Sequence, residues 1–286
     1  MTDKKEASVS SVEAFKHQSN YLAGDIPSEL VDDNDFFGKG SIQLLKHHGT
    51  YQQDHRDQRK HGEAGKSEKH YIFMVRSKIP GGMLTSDQLL AEMDLCDEVG
   101  NSTLRITSRQ GLQLHGVLKT DLAATIQQIQ QAQLTTLGAC GDICRNVMCC
   151  PAPSGDPLHQ QIQEMAQKLA EHFAPRSPAF NDIWLTDTET GVREQLSLEE
   201  TPEINGYPGD EVEPIYGKQY LPRKFKIGIA LPDDNCIDVY THDLGLVAVV
   251  HDGVIEGYNV LVGGGQGLTP SAKKTFAALG QKMAFV

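Results

Sequence analysis

The stretch "LRITSRQGLQLHG", Leu104 to Gly116, decides the fold. With period two, Leu104 and Ile106 fall on one face of a strand and Arg105 and Thr107 on the other. After a break at "SRQG", Leu112 and Leu114 face one way and Gln113 and His115 the other. The pattern predicts two short strands joined by a tight turn, with Gly111 supplying the positive φ. One face is apolar. The other carries Arg105, Gln113 and His115, with Arg109 at the turn, a set of donors suited to an anion.

Working outward, "HYIFMVRSKI" reads as a strand ended by "PGG", and "TSDQLLAEMDLCDEVGN" as a helix capped by Thr85 or Ser86. "DLAATIQQIQQAQL" is a second helix with Asp121 as its N-cap. The order β-α-β-β-α predicts a half ferredoxin-like unit, a sheet covered by helices on one face, over residues 67–137. Residues 1–66 lack periodicity and are expected to form an extended arm. Within them the strongly polar "HHGTYQQDHRDQRKHG" is expected on a surface or against a polar ligand.

"LGACGDICRNVMCCPAPSGDP" marks a domain boundary, with a second α+β domain over 138–286. There "PLHQQIQEMAQKLAEHF" is an amphipathic helix and residues 187–219 are loop-like. "KFKIGIAL", "CIDVYT", "LVAVV" and "VIEGYNVLV" read as strands, the last two joined by a turn at "HDG". "GGGQG" leads into a terminal helix near "SAKKTFAALGQKM".

The 286 residues carry a formal net charge of −12, which disfavours nucleic acid as the main partner. No apolar run has the length of a membrane span, and the polar N-terminal stretch lacks the apolar segment of a signal peptide. The cytoplasm is therefore the expected compartment.

Against that negative charge, cations recur at strand spacing. Arg76 and Lys78 are two apart in "FMVRSKI", as are Lys224 and Lys226 in "LPRKFKIGI", and Arg145 joins them from the Cys-rich stretch. A single such pair would be an ordinary solvated face. Several pairs, with Gln113 and His115 added, predict a cavity for a polyanion or a small oxyanion. "LVGGGQG" before a helix is a second, weaker anion contact. Cys140, Cys144, Cys149 and Cys150 do not follow ferredoxin cluster spacing. They are expected to pack as small soft side chains, and no metal ligand is assigned.

"RITSRQGLQLHGVLK", "GACGDICRNVMC", "YLPRKFKIGI" and "NVLVGGG", in this order, resemble the sirohaem-dependent sulfite and nitrite reductases, on the sulfite reductase side, of the ferredoxin-dependent or haemoprotein-subunit type. The resemblance runs from "KHQSNYLAGDI" to the C-terminus. It implies an α+β fold in which a ferredoxin-like half domain precedes an α+β sirohaem-binding domain. It also implies that Lys46, Arg105, Arg109, Gln113, His115 and Arg223 hold the carboxylates of sirohaem. Arg76, Arg145, Lys224 and Lys226 then correspond to the cations that bind sulfite and assist its reduction to sulfide. Lysine at 226 favours sulfite, because nitrite reductases tend to carry Asn there.

Family members are longer, with a second half that repeats the first and supplies the cysteines of a 4Fe–4S cluster joined to the sirohaem iron. Those ligands are expected in that second repeat, which is absent here, so the chain alone is expected to be inactive. The implied electron donor is a ferredoxin or a flavoprotein reductase. The alternatives are nitrite reduction on the same architecture, or a chain that binds sirohaem without turnover.

Overall fold

The computed structural model describes residues 10–61, 67–185, 212–268 and 275–286. In chain order it begins with helices α1 (Ser11–Gln18), α2 (Ile26–Leu30) and α3 (Lys39–Leu45), then strand β1 (Thr50–Asp54) and the two-residue strands β2 (Lys60–His61) and β3 (Ser67–Glu68). The α+β unit follows as β4 (Tyr71–Ser77), α4 (Ser86–Val99), β5 (Arg105–Ile106), β6 (Leu112–Val117) and α5 (Leu122–Gln131). The remainder comprises α6 (Pro157–His172), β7 (Ile227–Ala230), β8 (Leu244–His251), β9 (Val254–Val262) and β10 (Gln281–Phe285).

The first sheet has the order β1-β4-β6-β5 and is antiparallel throughout. Its buried face carries Phe73, Val75, Leu112 and Leu114, covered by α4 and α5 through Leu95, Ile126 and Ile129. Thr85 and Gln88 close a reciprocal capping box at the start of α4. The register sets Gln113 opposite both Arg76 and Arg105, so the donor-rich face exists as the alternation predicts. Ile106, on the apolar side, is 82% exposed because the edge strand outruns the helices.

The β5–β6 turn differs in one respect. Gln110, not Gly111, takes the left-handed conformation, at φ 59°. Gly111 is required for a different reason: a Cβ there would lie 2.7 Å from the Ser77 carbonyl oxygen.

Residues 1–66 are not an extended arm where they are described. α1, α2 and α3 bury Leu22, Ile26, Leu44 and Leu45 in the main core, and β1 pairs with β4. Nor is "HHGT" a polar surface, since His47 is 2% exposed and His48 0%. Their ring nitrogens are satisfied inside the protein, which lets polar residues enter the core. His48 Nε2 donates to the Leu22 carbonyl at 2.9 Å, and its Nδ1 accepts from Trp184 Nε1 at 2.8 Å. His47 Nε2 accepts from the Asp142 amide at 3.1 Å.

The Cys-rich stretch is a seam rather than a loose boundary. Residues 143–148 run beside β7: the Arg145 amide donates to the Phe225 carbonyl, and the Met148 amide to that of Ile227. The Gly81 amide donates to the Val147 carbonyl from the other side. One core cluster consequently runs through both halves, from Phe73 to Ile227 and Tyr258.

The second sheet has the order β10-β9-β8-β7, with β7 parallel to β8 and the other pairs antiparallel. The turn at 251–253 forms as expected, with Asp252 and Gly253 both at positive φ. "CIDVYT" is not a strand. Asp238 turns left-handed at φ 53°, the Asn235 side chain accepts from the Val239 amide, and Val239–Thr241 is a single 3-10 turn.

The terminal helix near 271–283 is also absent where described; residues 269–274 lie outside the described residues. From 275 the chain is irregular, then pairs as β10 along the free edge of β9, which satisfies main-chain groups that a solvated helix would leave apart. The "GGGQG" segment therefore leads into no helix terminus among the described residues. Gly264 instead permits close backbone packing, since a Cβ there would meet the Tyr240 carbonyl oxygen. Most of the loop expected over 187–219 lies outside the described residues. No helix among the described residues is long and apolar enough to cross a membrane.

Candidate active site

Three segments meet at a cleft of about 390 Å³: the end of β4, the β5–β6 turn, and the seam with the approach to β7. Arg76, Arg109, Arg145, Lys224 and Lys226 line it together with Lys78, six cations from four separate stretches of the chain. Each arrives for a local reason. Arg76 is on the polar face of β4. Arg109 is thrown inward by the left-handed Gln110. Lys224 and Lys226 alternate with Phe225 and Ile227, which the core holds.

Arg76 sits in a row of polar contacts across the first sheet. The Gln113 amide is oriented with its oxygen accepting from Arg76 Nε at 2.9 Å and from Nη2. Its NH₂ then faces His115 Nε2 at 3.5 Å, and His115 Nδ1 donates to Gln53 Oε1 at 3.3 Å. Arg76 also donates to Cys140 Sγ at 2.7 Å and lies 5.9 Å from the centre of the Tyr51 ring. Burial lowers the His115 pKa, and the Arg105 and Arg76 charges lower it further, so the ring is a neutral hydrogen-bonding group.

Arg109 is a bracket. One Nη2 donates to the Ile227 carbonyl at 3.0 Å and to the Asn146 carbonyl, while its buried Nε has no partner. Burial lowers its pKa to about 10, which still leaves it charged at neutral pH. Arg145 Nε donates to the Gly141 carbonyl at 3.1 Å. Lys224 and Lys226 have lowered pKa values, first from burial; Arg145 and the opposite lysine contribute at Lys224, while Asp243 opposes the shift at Lys226. A lysine so placed gives up a proton more readily than one in water.

The other expected residues do not line the cleft. Gln113 and His115 lie on the adjoining sheet face, Arg105 is exposed at the edge opposite Gln113, and Arg223 is exposed just before Lys224. Lys46 is half-buried and donates to Gln43 at 2.6 Å.

Three cleft residues were not assigned from the sequence. Lys78, whose spacing to Arg76 is the only signal, is buried with its pKa lowered by that burial. Asn146 donates to the Ile79 and Arg109 carbonyls. His242 Nε2 donates to the Ile237 carbonyl at 3.0 Å, which leaves a buried unpartnered acceptor, Nδ1. Burial, with Arg109 and Lys226 nearby, lowers its pKa to about 3. No periodicity in "THDL" marks it.

A cation-lined cleft with an orphaned guanidinium nitrogen fits an anionic tetrapyrrole with carboxylate arms and a small oxyanion beside it. The cysteines fit a cluster poorly. Cys140 takes Arg76, the Cys144 thiol contacts the Arg145 carbonyl, and Cys149 contacts those of Gly81 and Cys150. Burial raises the thiols of Cys140, Cys144 and Cys149, the last two to about 11 and 12.

The family model "Nitrite/Sulfite reductase ferredoxin-like half domain" matches residues 65–132, and "Nitrite and sulphite reductase 4Fe-4S domain" matches residues 140–286. Proteins named "Sulfite reductase [NADPH] hemoprotein beta-component" are similar across nearly the whole chain. That of Paenibacillus sp. (strain JDR-2) is 44% identical over 97% of this chain and 46% of its own length. That of Bacillus subtilis (strain 168) is 41% identical over 98% of this chain and 47% of its own length. The chain spans about half the length of the curated relatives it matches. The Mycobacterium tuberculosis NirA protein shares the fold, with a TM-score of 0.67 at 19% identity over 98% of this chain and 44% of that one. From its two consecutive family domains and its cation-lined cleft, the chain belongs to the nitrite and sulphite reductase family.

Proposed function

We propose that this chain is the sulfite-binding half of a sulfite reductase haemoprotein. The observation that carries the reading is the convergence of Arg76, Arg145, Lys224 and Lys226 on one cleft in a chain of net charge −12. Sirohaem, when bound, would supply the iron centre through which six electrons from the donor reach sulfite. The residues of this chain do the rest. Gln113, His115, Arg105, Lys46 and Arg223 would contact the cofactor's carboxylates beside the cleft, the side-chain contacts of Gln113 and His115 rearranging to do so, with Arg109 lining the cleft itself. Arg76 and Arg145 hold the oxyanion and offset its charge; Lys224 and Lys226 stabilise charge developing on its oxygens and deliver protons to them.

In this reading the ligands of the 4Fe–4S cluster lie outside these 286 residues. The reading carries with it an electron donor of the ferredoxin or flavoprotein-reductase type. It also carries a cytoplasmic setting, where the six free cysteines stay reduced. The domain limits 67–137 and 138–286 are proposed as two lobes of one site.

The test is a titration of the purified chain with sirohaem, followed by sulfite. A shift of the haem absorption band on sulfite addition is expected, weakened in Lys226→Ala and Arg145→Ala without loss of haem. Haem binding with no anion-induced shift would leave only a sirohaem-binding chain. A shift with nitrite in preference to sulfite would move the assignment to nitrite reduction.

A further inference from the structure

Apart from the cation cleft, a second group of chemistry-bearing side chains converges at the start of α6. Asp156 caps the helix, its Oδ1 accepting from the Leu158 amide at 3.2 Å. Its Oδ2 accepts from His159 Nδ1 at 2.9 Å. One carboxylate thus fixes the helix start and the imidazole plane together. The other ring nitrogen, Nε2, is left facing Asp234 Oδ2 at 3.3 Å. Asp234 is held in the turn after β7, where its amide donates to the Leu231 carbonyl and its Oδ1 accepts from the Cys236 amide at 3.0 Å.

Cys150, at the end of the seam, completes the group. The ligand atoms of Cys150, His159 and Asp234 all lie within 4.8 Å of one another. Cys236 adjoins the group through its main-chain amide, the donor to Asp234 Oδ1. Neither cysteine is in a disulfide. A thiol, an imidazole and a carboxylate within this reach of one another supply three ligand types for one ion. A histidine whose second nitrogen is bound by a carboxylate is the arrangement that orients imidazole toward a metal. His159 and Asp234 are partly exposed and Cys236 is exposed, which gives an ion a path in.

We propose that Cys150, His159 and Asp234 form a binding site for a single divalent cation of the zinc class. The donor set of one sulfur, one nitrogen and one oxygen, with a fourth position open to water, suits a tetrahedral ion of intermediate softness. Binding takes the thiolate and the neutral imidazole, so it releases protons and affinity falls in acid. The ion would tie α6, the seam and the 231–236 turn together. Met148 precedes this group, and Ile237 and Asp238 follow it; all three line the cation cleft. The site is therefore a clip behind one wall of that cleft, separate from its chemistry.

The experiment titrates the full chain with Co²⁺ under a non-chelating reductant, then with Zn²⁺. One Co²⁺ per chain is expected, with a thiolate charge-transfer band that Zn²⁺ abolishes. The band should vanish in Cys150→Ser and His159→Gln and persist in Cys96→Ser. Circular dichroism monitors folding of each variant. Asp156→Asn keeps a good helix cap and removes only the carboxylate behind His159, so it decides the matter if a ligand variant fails to fold. It should weaken Co²⁺ binding about 10- to 100-fold. Absence of stoichiometric metal, a band that survives Cys150→Ser, unchanged affinity in Asp156→Asn, or a Cys150–Cys236 disulfide forming despite excess Zn²⁺ would each overturn the proposal.

Discussion

Arg109 and Asn146 clasp each other: Asn146 Nδ2 donates to the Arg109 carbonyl at 2.8 Å, and Arg109 Nη2 donates back to the Asn146 carbonyl. The same guanidinium reaches the Ile227 carbonyl, so one turn residue joins the first sheet to the seam and to β7. Arg109→Ala should therefore cost stability before it costs cofactor. Losing charge-assisted hydrogen bonds to two buried carbonyls predicts a loss of about 2–4 kcal/mol. Urea unfolding of the two proteins measures it, and coincident midpoints would show that the clasp is dispensable.

The donor face of the first sheet was legible in the sequence because alternation has an exact period and a one-residue error would bury Arg105 and Gln113. The cleft was only half legible. Arg76, Arg145, Lys224 and Lys226 announce themselves as charges, and the family resemblance assigns them. Lys78 showed only its spacing to Arg76, and Asn146 and His242 gave no signal, because the path of irregular backbone through the seam and the 231–243 crossover brings those two in. His47 and His48 misled for a related reason. A polar stretch is read as surface unless its partners are known, and these are distant in sequence: Trp184 and the Leu22 carbonyl for His48, the Asp142 amide for His47. The group around His159 was hidden similarly, with its members at 150, 159 and 234 and no spacing motif.

His47 and His48 predict an acid limit to stability. Burial lowers them from 6.5 to about 3 and about 4, and each ring is committed to partners as the neutral form. Between about pH 6.5 and pH 4 the unfolded chain binds protons that the folded chain does not, so stability rises with pH across that window and is lost as pH falls. At pH 5 the cost is about 2 kcal/mol for each histidine. Denaturant midpoints at pH 7.5 and pH 5 should differ accordingly, and His48→Gln should flatten the slope. A midpoint independent of pH would refute the neutral buried pair.

Lys226 should matter for rate more than for assembly. It lines the cleft, and its main-chain amide, not its ammonium, is tied to Asp243, at 2.8 Å. Lys226→Ala leaves that tie intact and removes only the charge and the proton. In the assembled enzyme the turnover of sulfite should fall about 10²–10³-fold, with sirohaem per chain unchanged. Lys226→Arg should restore binding of the anion more than turnover, because guanidinium keeps its proton. Equal turnover in the wild type and Lys226→Ala would remove Lys226 from the proposed chemistry.

Gly111 provides the sharpest test of how the turn builds the site. Its φ is ordinary, so its role is not conformational freedom; the space for a side chain is missing, with the Ser77 carbonyl 2.7 Å from where a Cβ would be. Ser77 follows Arg76, and Gly111 lies between Arg109 and Gln113. Gly111→Ala must push β6 away from the end of β4, the place where Gln113 meets Arg76. Overpacking of this kind costs about 1–3 kcal/mol. It should also weaken anion binding, since Arg76 and Arg109 shift with the strands that carry them. Gly155→Ala is the matched control: nothing lies within 4 Å of its Cβ, and the change should be neutral or stabilise by about 0.4–1 kcal/mol through the unfolded state. Parallel thermal melts and sulfite titrations separate the outcomes. If Gly111→Ala melts like Gly155→Ala and binds sulfite normally, the close approach of β4 and β6 does not position Arg76, and its place in the cleft must depend on Cys140 and Tyr51 alone.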